Sequence, residues 1–271
     1  MIRRLAGAAV LLFGAAAVAT SSATASFTGA AAVGANAFST GGSFGPECPA
    51  TFPTALQVMM GFDAGAVSSF GMTAGFFGGL PGSLSVTADA PRSGAYSLRS
   101  APAGTAGFGL FYLPSTSVTT ARFALRLPTL PTTDVAQLFG ITNGVDDGYA
   151  AFLGYRYNGG SPTLAVQLRN DVGALTAPVE STIKPVADQW YLVDVRLDAS
   201  GSTHTFNWRI DGTDQPDATQ PGTAGTTTSI GWIGTTVADT YTADFDDLLV
   251  SSSAADYPLP NATVEETESG Q

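Results

Sequence analysis

Short runs in which apolar and polar residues alternate recur along the chain from about residue 56 to residue 251, separated by glycine, proline, asparagine and aspartate. The run TLAVQLRN at 163–170 is representative, because every second residue is apolar. A period of two is typical of a β-strand with one buried face, and no long stretch shows the 3.6-residue period of an amphipathic helix. About a dozen such runs at this spacing predict an all-β sandwich or barrel.

The alternation also assigns side chains to an inner and an outer face of each strand. The residues expected to face the core are Leu164, Val166, Leu168, Tyr191, Val193, Val195, Leu197, Phe206, Trp208 and Ile210. The residues expected to face outward are Arg156, Gln167, Arg169, Trp190, Asp194, Arg196, Asn207 and Arg209. We interpret the outward set as the outer face of one sheet and as a glycan-binding row, whose polar groups hydrogen-bond sugars or acidic groups while Trp190 or Tyr157 stacks on a sugar ring. The alternative is a solvated ladder of Arg and Asp side chains that serves solubility alone.

Charge excludes one class of partner. The chain of 271 residues has 22 Asp and Glu against 11 Lys and Arg, for a net charge of −11. Nucleic acid is therefore not an expected partner, because phosphate binding needs clustered cations. Charged residues make up only 12% of the chain, which is typical of a turn-rich β protein that is exported.

The N-terminus has the features of an export signal. Arg3 and Arg4 precede an apolar stretch at 5–18, and Ala23-Thr24-Ala25 provides the small residues of a cleavage site. The apolar stretch is short for a bilayer span, so we expect a signal peptide at 1–25, a secreted protein and no stable membrane span in the mature chain.

The segment after this site resembles the border of exported proteins that SipW-type signal peptidases process, a group that includes TasA and camelysin-like surface and matrix proteins. Phe27-Thr28, Val33, Asn36, Phe38, Ser39 and Gly41 match that pattern, whereas Gly29 and Ala35 depart from it. The resemblance covers this border alone and implies an extracellular, cell-surface or matrix location.

The order of the later segments carries a second resemblance. GFDAG at 61–65, PRSGAYSLRS at 91–100, QWYLVDVRLD at 189–198, HTFNWRIDG at 204–212 and YTADFDDLLVS at 241–251 resemble the concanavalin A-like, LamG-type jelly rolls of bacterial exported proteins. The resemblance implies a two-sheet antiparallel sandwich of about 12 to 14 strands, one face of which often binds glycan. We expect a signal peptide at 1–25, an Ala/Gly-rich linker at 26–56, a LamG-like domain at 57–256 and an acidic tail at 257–271.

Three carboxylates, Asp244, Asp246 and Asp247, stand next to an apolar run near the end of the last strand. With Asp63 of the first strand they are candidate ligands of a calcium ion, which the jelly-roll resemblance also allows. A solvated acidic strand end that discourages edge pairing is the alternative. Asp244 and Asp246 also share the spacing of a family 16 glucanase active strand, but Glu180 is the one glutamate of the predicted domain, which makes such an enzyme unfavoured.

These features favour an exported, non-catalytic protein that binds a polysaccharide, a cell-surface glycan or another extracellular component. A structural matrix or coat subunit is the alternative from another class, since it explains the signal border and the Ala/Gly-rich linker without a ligand. A glycoside hydrolase-like enzyme is the third.

Overall fold

The computed structural model describes residues 56–62, 84–143, 148–170 and 172–259. The predicted signal peptide, nearly all of the linker, Asp63 and most of the tail lie outside these ranges. Fifteen strands occur within them, against about 12 to 14 expected. The strands are β1 Leu56–Met60, β2 Leu84–Thr87, β3 Ser97–Ser100, β4 Ala103–Thr116, β5 Val118–Arg126, β6 Val135–Thr142, β7 Ala150–Asn158, β8 Ser161–Arg169, β9 Val179–Glu180, β10 Trp190–Asp198, β11 Thr203–Ile210, β12 Thr213–Asp214, β13 Ala218–Pro221, β14 Thr228–Thr240 and β15 Ala243–Ser251.

The strands form two antiparallel sheets, and this confirms the predicted jelly-roll sandwich. The nine-stranded sheet has the order β12-β11-β10-β5-β15-β3-β2, with β1 paired to β15 and β13 paired to β11. The six-stranded sheet has the order β4-β14-β6-β7-β8-β9. All pairings between described strands are antiparallel.

The core lies between the two sheets. Phe123 of the nine-stranded sheet stacks on Phe139 of the six-stranded sheet, with ring centroids 4.5 Å apart, and Phe111 and Phe245 pack beside them. Each fully buried ring of this size contributes roughly 1.5–3 kcal/mol to the free energy of unfolding. The ten residues predicted to face inward are all buried and belong to this core, so the alternation was interpreted correctly strand by strand.

The interpretation of the outward residues as one sheet face is wrong. Arg156, Gln167 and Arg169 lie on β7 and β8 of the six-stranded sheet, whereas Trp190, Asp194, Arg196, Asn207 and Arg209 lie on β10 and β11 of the nine-stranded sheet. A period of two distinguishes the inside of a strand from its outside, but it does not say which sheet the strand joins. The predicted row is therefore divided between two opposite outer surfaces of the sandwich.

The chain after β15 covers part of the outer face of the nine-stranded sheet. The Thr120 hydroxyl donates to the carbonyl of Ser253 (3.2 Å), and the Ser251 hydroxyl donates to the Asp256 carboxylate. Leu259 is only 1% exposed, so packed chain continues past the predicted boundary at residue 256. Burial and then the nearby Asp194 carboxylate raise the pKa of Tyr257, which places this ring close to β10.

Asp194, which was expected to face solvent, is consequently buried. Arg122 of β5 binds it with both arms of the guanidinium, Nε to Oδ1 at 2.6 Å and Nη2 to Oδ2 at 2.9 Å. Burial nonetheless raises the pKa of Asp194, and Arg122 offsets part of that increase.

Within the described ranges the structure has no helix with the length and hydrophobicity needed to cross a bilayer.

Candidate functional site

A pocket of about 270 Å³ opens on the outer face of the six-stranded sheet. Two of its lining residues, Gly154 of β7 and Ala165 of β8, are small and are direct partners across the two strands. The remaining lining residues are Asp134, Val135, Ala136, Tyr155, Arg156, Gln167, Ala238 and Asp239. The pocket thus combines small apolar residues with a rim of two carboxylates, one guanidinium and one carboxamide.

Two strand irregularities produce this pocket. In β6, residues 136–138 lie opposite the single residue Gly154, because Val135 pairs with Tyr155 and the next pairing is Phe139 with Leu153. In β14, residues 236–238 lie opposite the single residue Ala106, because Thr235 pairs with Gly107 and the next pairing is Asp239 with Thr105. Extra residues in one strand of a pair bend that strand away from its partner.

Hydrogen bonds join the two bulges at the rim. The main-chain N–H of Ala136 donates to Oδ2 of Asp239 (3.0 Å), and the main-chain N–H and hydroxyl of Thr236 both donate to Oε1 of Gln137 (2.9 and 2.6 Å). Oδ1 of Asp239 accepts the N–H of Thr240 (2.9 Å). Each oxygen of this carboxylate is therefore held by one main-chain donor.

Gly154 is required by the β6 bulge. A Cβ at this position would lie 2.6 Å from the carbonyl oxygens of both Val135 and Ala136. These are main-chain atoms, which cannot turn aside as a flexible side chain does. The missing side chain therefore lets the main chain of the bulge lie against β7 at the edge of the pocket.

Asp134 and Arg156 form the opposite part of the rim. Nη1 of Arg156 lies 3.0 Å from Oδ2 of Asp134, and the main-chain N–H of Tyr157 donates to Oδ1 (2.7 Å). Gln167 donates through Nε2 to the carbonyl of Thr176 (2.9 Å), so its Oε1 and its second N–H are left for a ligand. The buried hydroxyl of Tyr155 donates to the carbonyl of Pro131 (2.8 Å), and burial, then Tyr157 and Asp134, raises the pKa of this phenol.

An aromatic cluster supports the sheet beside the pocket. Leu110, Trp232, Gly140, Phe152 and Gln167 lie in one row across five strands. Trp232 lies flat over Gly140, where a Cβ would approach the indole to 2.1 Å, and its ring centroid is 5.7 Å from that of Phe152. Trp232 and Phe152 are 3% and 6% exposed, so they stiffen the sheet and are not surfaces on which a sugar could stack.

The structure places the eight predicted glycan-binding residues at several separate positions. The structure brings Arg156 and Gln167 together in the pocket, and Tyr157 fixes its rim through the main chain. Arg169 lies over the ring of Phe152, with its Cζ 5.5 Å from the centroid, and donates to the carbonyl of Gly148. The other four lie on the nine-stranded sheet: Trp190 donates to the carbonyl of Ala90, Arg196 pairs with Asp198, Asn207 stands opposite Arg196, and Arg209 pairs with Asp214.

Sequence reasoning missed Asp134, Gly154, Ala165 and Asp239. Two of them were within reach, because the alternation that placed Arg156 and Gln167 outward also places Gly154 and Ala165 two residues away on the same faces. Asp239 reaches the pocket at the end of the β14 bulge, and Asp134 reaches it from the loop before β6, and the sequence has no pattern that predicts either placement.

The three acids of β15 are buried, which contradicts the solvated strand end. Arg99 binds Asp244 with Nε to Oδ1 at 2.7 Å and Nη2 to Oδ2 at 2.9 Å, and Nη1 of Arg126 lies 3.3 Å from Oδ2. Oδ1 of Asp247 accepts the hydroxyl of Ser93 (2.7 Å), and Oδ2 binds Arg92. Guanidinium groups from β3, β5 and the loop before β3 thus neutralise acids that are remote in the sequence.

Among the described residues, Asp246 accepts hydrogen bonds from main-chain N–H groups alone. Oδ2 accepts the N–H groups of Arg92 (3.0 Å) and Ser93 (3.2 Å), and Oδ1 accepts that of Asp247 (2.9 Å). Burial, together with the adjacent Asp247 carboxylate, raises the pKa of Asp246 to about 8, while these main-chain N–H groups lower it in part.

Two of the predicted calcium ligands have arginine partners in this structure. The carboxylates of Asp244 and Asp247 already bind arginine, and the described ranges contain no group of three or more His, Cys, Asp or Glu placed to hold a metal. Asp63, the fourth expected ligand, lies outside the described residues. The geometry of β15 is that of a buried ion-pair network that fastens the loop at 88–95 to the sheet.

No protein family profile and no curated protein sequence matches the chain. Among solved structures it is similar to Cip1, a cellulose-induced protein, with 16% identity over 65% of this chain and 87% of that chain and a TM-score of 0.47. It is also similar to domain 4 of AbnA, a GH43 extracellular arabinanase from Geobacillus stearothermophilus solved with arabinotriose, with 14% identity over 72% of this chain and 91% of that chain and a TM-score of 0.49. Similarity to the carbohydrate recognition domain of Emp47p is 11% identity over 64% of this chain and 89% of that chain, with a TM-score of 0.40. Because these values are low, the function proposed below rests on the chain's own geometry.

Proposed function

We propose that this protein is an exported, non-catalytic jelly-roll protein that binds glycan, and that it holds one sugar unit in the pocket of the six-stranded sheet. The observation that carries the proposal is the cavity of about 270 Å³ over Gly154 and Ala165, with polar groups around its rim. Its volume is slightly below the roughly 300–1,000 Å³ of sites for drug-sized ligands, which suits a single unit of a longer chain.

The rim is held in place before any ligand arrives. Asp134, Asp239 and Gln167 each make at least one hydrogen bond to main-chain groups of neighbouring segments. A ligand then loses little of its binding free energy to ordering the protein. This is the arrangement expected of a binding site for hydroxyl-rich molecules.

The polar groups favour binding over catalysis. Glycoside hydrolysis needs one carboxyl group that donates a proton and a second that acts as base or nucleophile. Both oxygens of Asp134 and of Asp239 accept hydrogen bonds or ion pairs from N–H donors, which is the environment of an ionised carboxylate that accepts hydrogen bonds and not of a carboxylic acid that donates a proton.

Export itself rests on the N-terminal sequence, and N-terminal sequencing of secreted protein is expected to give a start near Ser26.

A structural matrix or coat subunit is the second candidate, because β4 offers a long strand for edge pairing. It has 14 residues and pairs only with β14 among the described strands of the six-stranded sheet. An open edge of this length is a template for another chain.

A glycan array combined with sedimentation velocity at increasing protein concentration separates the two candidates. Sugar binding by a monomer is the result expected here. Concentration-dependent polymers that bind no sugar would favour the matrix subunit. Release of products from a polysaccharide panel would contradict the non-catalytic proposal.

A further inference from the structure

We infer that the pocket selects sugar units that carry hydroxyl or amino donors and no negative charge, and that it rejects uronic, sialic and sulfated units. The inference rests on the proposed glycan-binding function and adds the class of ligand. It is carried by the charges around the rim, together with the acceptor oxygens of Asp239 and Gln167.

The rim carries two carboxylates and one guanidinium. Arg156 pairs with Asp134 at 3.0 Å, so the charges of these two side chains offset each other. Among the described residues, Asp239 accepts hydrogen bonds from the uncharged main-chain N–H groups of Ala136 and Thr240. One negative charge is therefore left at the mouth of the pocket with no arginine of the described residues bound to it.

Acceptor oxygens stand in the same place, beside the donors of Arg156. One N–H of the Gln167 carboxamide donates to Thr176, which leaves its acceptor Oε1 and one N–H for a ligand. A carboxylate has about four lone-pair positions, and each oxygen of Asp239 accepts one main-chain N–H among the described residues, so each oxygen has room for a further donor. A sugar hydroxyl donates to such oxygens with the added strength of a charged acceptor, whereas a ligand carboxylate or sulfate has no proton to donate.

Arg169 does not neutralise the negative charge at the rim of the pocket. It lies two residues beyond Gln167 along β8, about 7 Å at the rise of an extended strand. Its guanidinium lies over Phe152, and its Nε donates to the carbonyl of Gly148 at 2.7 Å. The cation is thus held at the aromatic cluster and not among the residues that line the pocket.

The test compares matched neutral and acidic oligosaccharides on wild type, on Asp239→Asn and on Arg196→Ala. Asp239→Asn keeps the side-chain shape and removes the charge, whereas Arg196 lies on the other sheet and serves as the control. Thermal melts of the three proteins establish that each is folded. Affinities are measured by isothermal titration at low and high salt, because charge repulsion is screened by salt.

The expected result is at least tenfold tighter binding of neutral or amino sugars than of acidic ones by wild type and by Arg196→Ala. Asp239→Asn is expected to narrow that ratio at least threefold. Equal or tighter binding of acidic glycans, or a ratio that Asp239→Asn leaves unchanged, would overturn the inference while the glycan-binding function stands. Failure of every glycan in both sets to bind wild type would instead overturn the proposed function, and the inference with it.

Discussion

Two glycines of the six-stranded sheet allow close approach of other groups, and the partners of the three β15 aspartates determine how each tolerates burial. Gly154 and Gly140 are the points where a main-chain bulge and the Trp232 indole, respectively, lie against the outer face of the six-stranded sheet. Asp244 and Asp247 are fully buried because arginines bind them, whereas the recorded partners of Asp246 are main-chain N–H groups.

Gly154→Ala is expected to destabilise the protein by about 1–3 kcal/mol, because its Cβ would overlap two main-chain oxygens and force the β6 bulge to move. Gly201→Ala is the matched control, since the nearest atoms to its Cβ are 3.9 Å and 4.0 Å away. Urea denaturation measures the free energy of unfolding of both variants. A midpoint for Gly154→Ala equal to that of Gly201→Ala would show that the bulge is free to relax.

Asp246 predicts a pH dependence of stability. Its folded-state pKa of about 8 lies above the ordinary value near 3.9. Between about pH 4 and pH 8 the folded protein therefore binds more protons than the unfolded chain, and the free energy of unfolding falls as the pH rises through that window. Asp194, whose pKa burial also raises, acts in the same direction.

Denaturant unfolding of wild type, Asp246→Asn and the exposed control Asp217→Asn at pH 5, 7 and 9 measures this dependence. The stability of wild type and of Asp217→Asn is expected to decrease from pH 5 to pH 9, and that of Asp246→Asn is expected to decrease less. Identical slopes for all three proteins would show that Asp246 ionises in the folded state at its ordinary pKa.

Calcium is expected to leave the melting temperature unchanged, since arginine already binds Asp244 and Asp247. Thermal melts with calcium and then with EDTA, at fixed ionic strength, test this expectation. An ion bound only by the folded state at a hundredfold excess over Kd would add about 2.7 kcal/mol of stability. A calcium-dependent increase that Asp63→Asn abolishes would restore the metal site predicted from the sequence.

At the scale of elements, two kinds of segment decide which surfaces are open. The β6 and β14 bulges create a pocket on one sheet, and the segment at 252–259 covers part of the other. Neither feature follows from the alternation within a strand, because both depend on how a segment meets a distant one.

Truncation after Ser251 is expected to destabilise the protein by at least about 1.5–3 kcal/mol, the contribution of one buried leucine, because Leu259 is lost. The buried pair of Arg122 and Asp194 would also become exposed to water. Truncation after Leu259 keeps these contacts and is the control. Urea midpoints compare the two proteins, and equal midpoints would contradict a structural role for this segment.

At the scale of the whole molecule, the sequence predicted the fold class, the two-faced strands and every tested core residue, because these depend on local periodicity. It did not predict which sheet each strand joins, since that choice depends on pairing between remote segments. The burial of Asp244 was missed for the same reason, because its partner Arg99 lies 145 positions away. Arg156 and Gln167 of the pocket were predicted, whereas Asp239 reaches it at the end of the β14 bulge and Asp134 from the loop before β6.

The central claim is that glycan binds on the six-stranded sheet and not on the nine-stranded one. Amide chemical-shift mapping of the isotopically labelled mature protein, titrated with a glycan selected from the array, tests this claim most directly. The predicted result is that shifts concentrate at 134–137, 154–156, 165–167 and 238–240, around the pocket. Shifts concentrated at Arg196, Asn207 and Arg209, with the pocket unaffected, would contradict it.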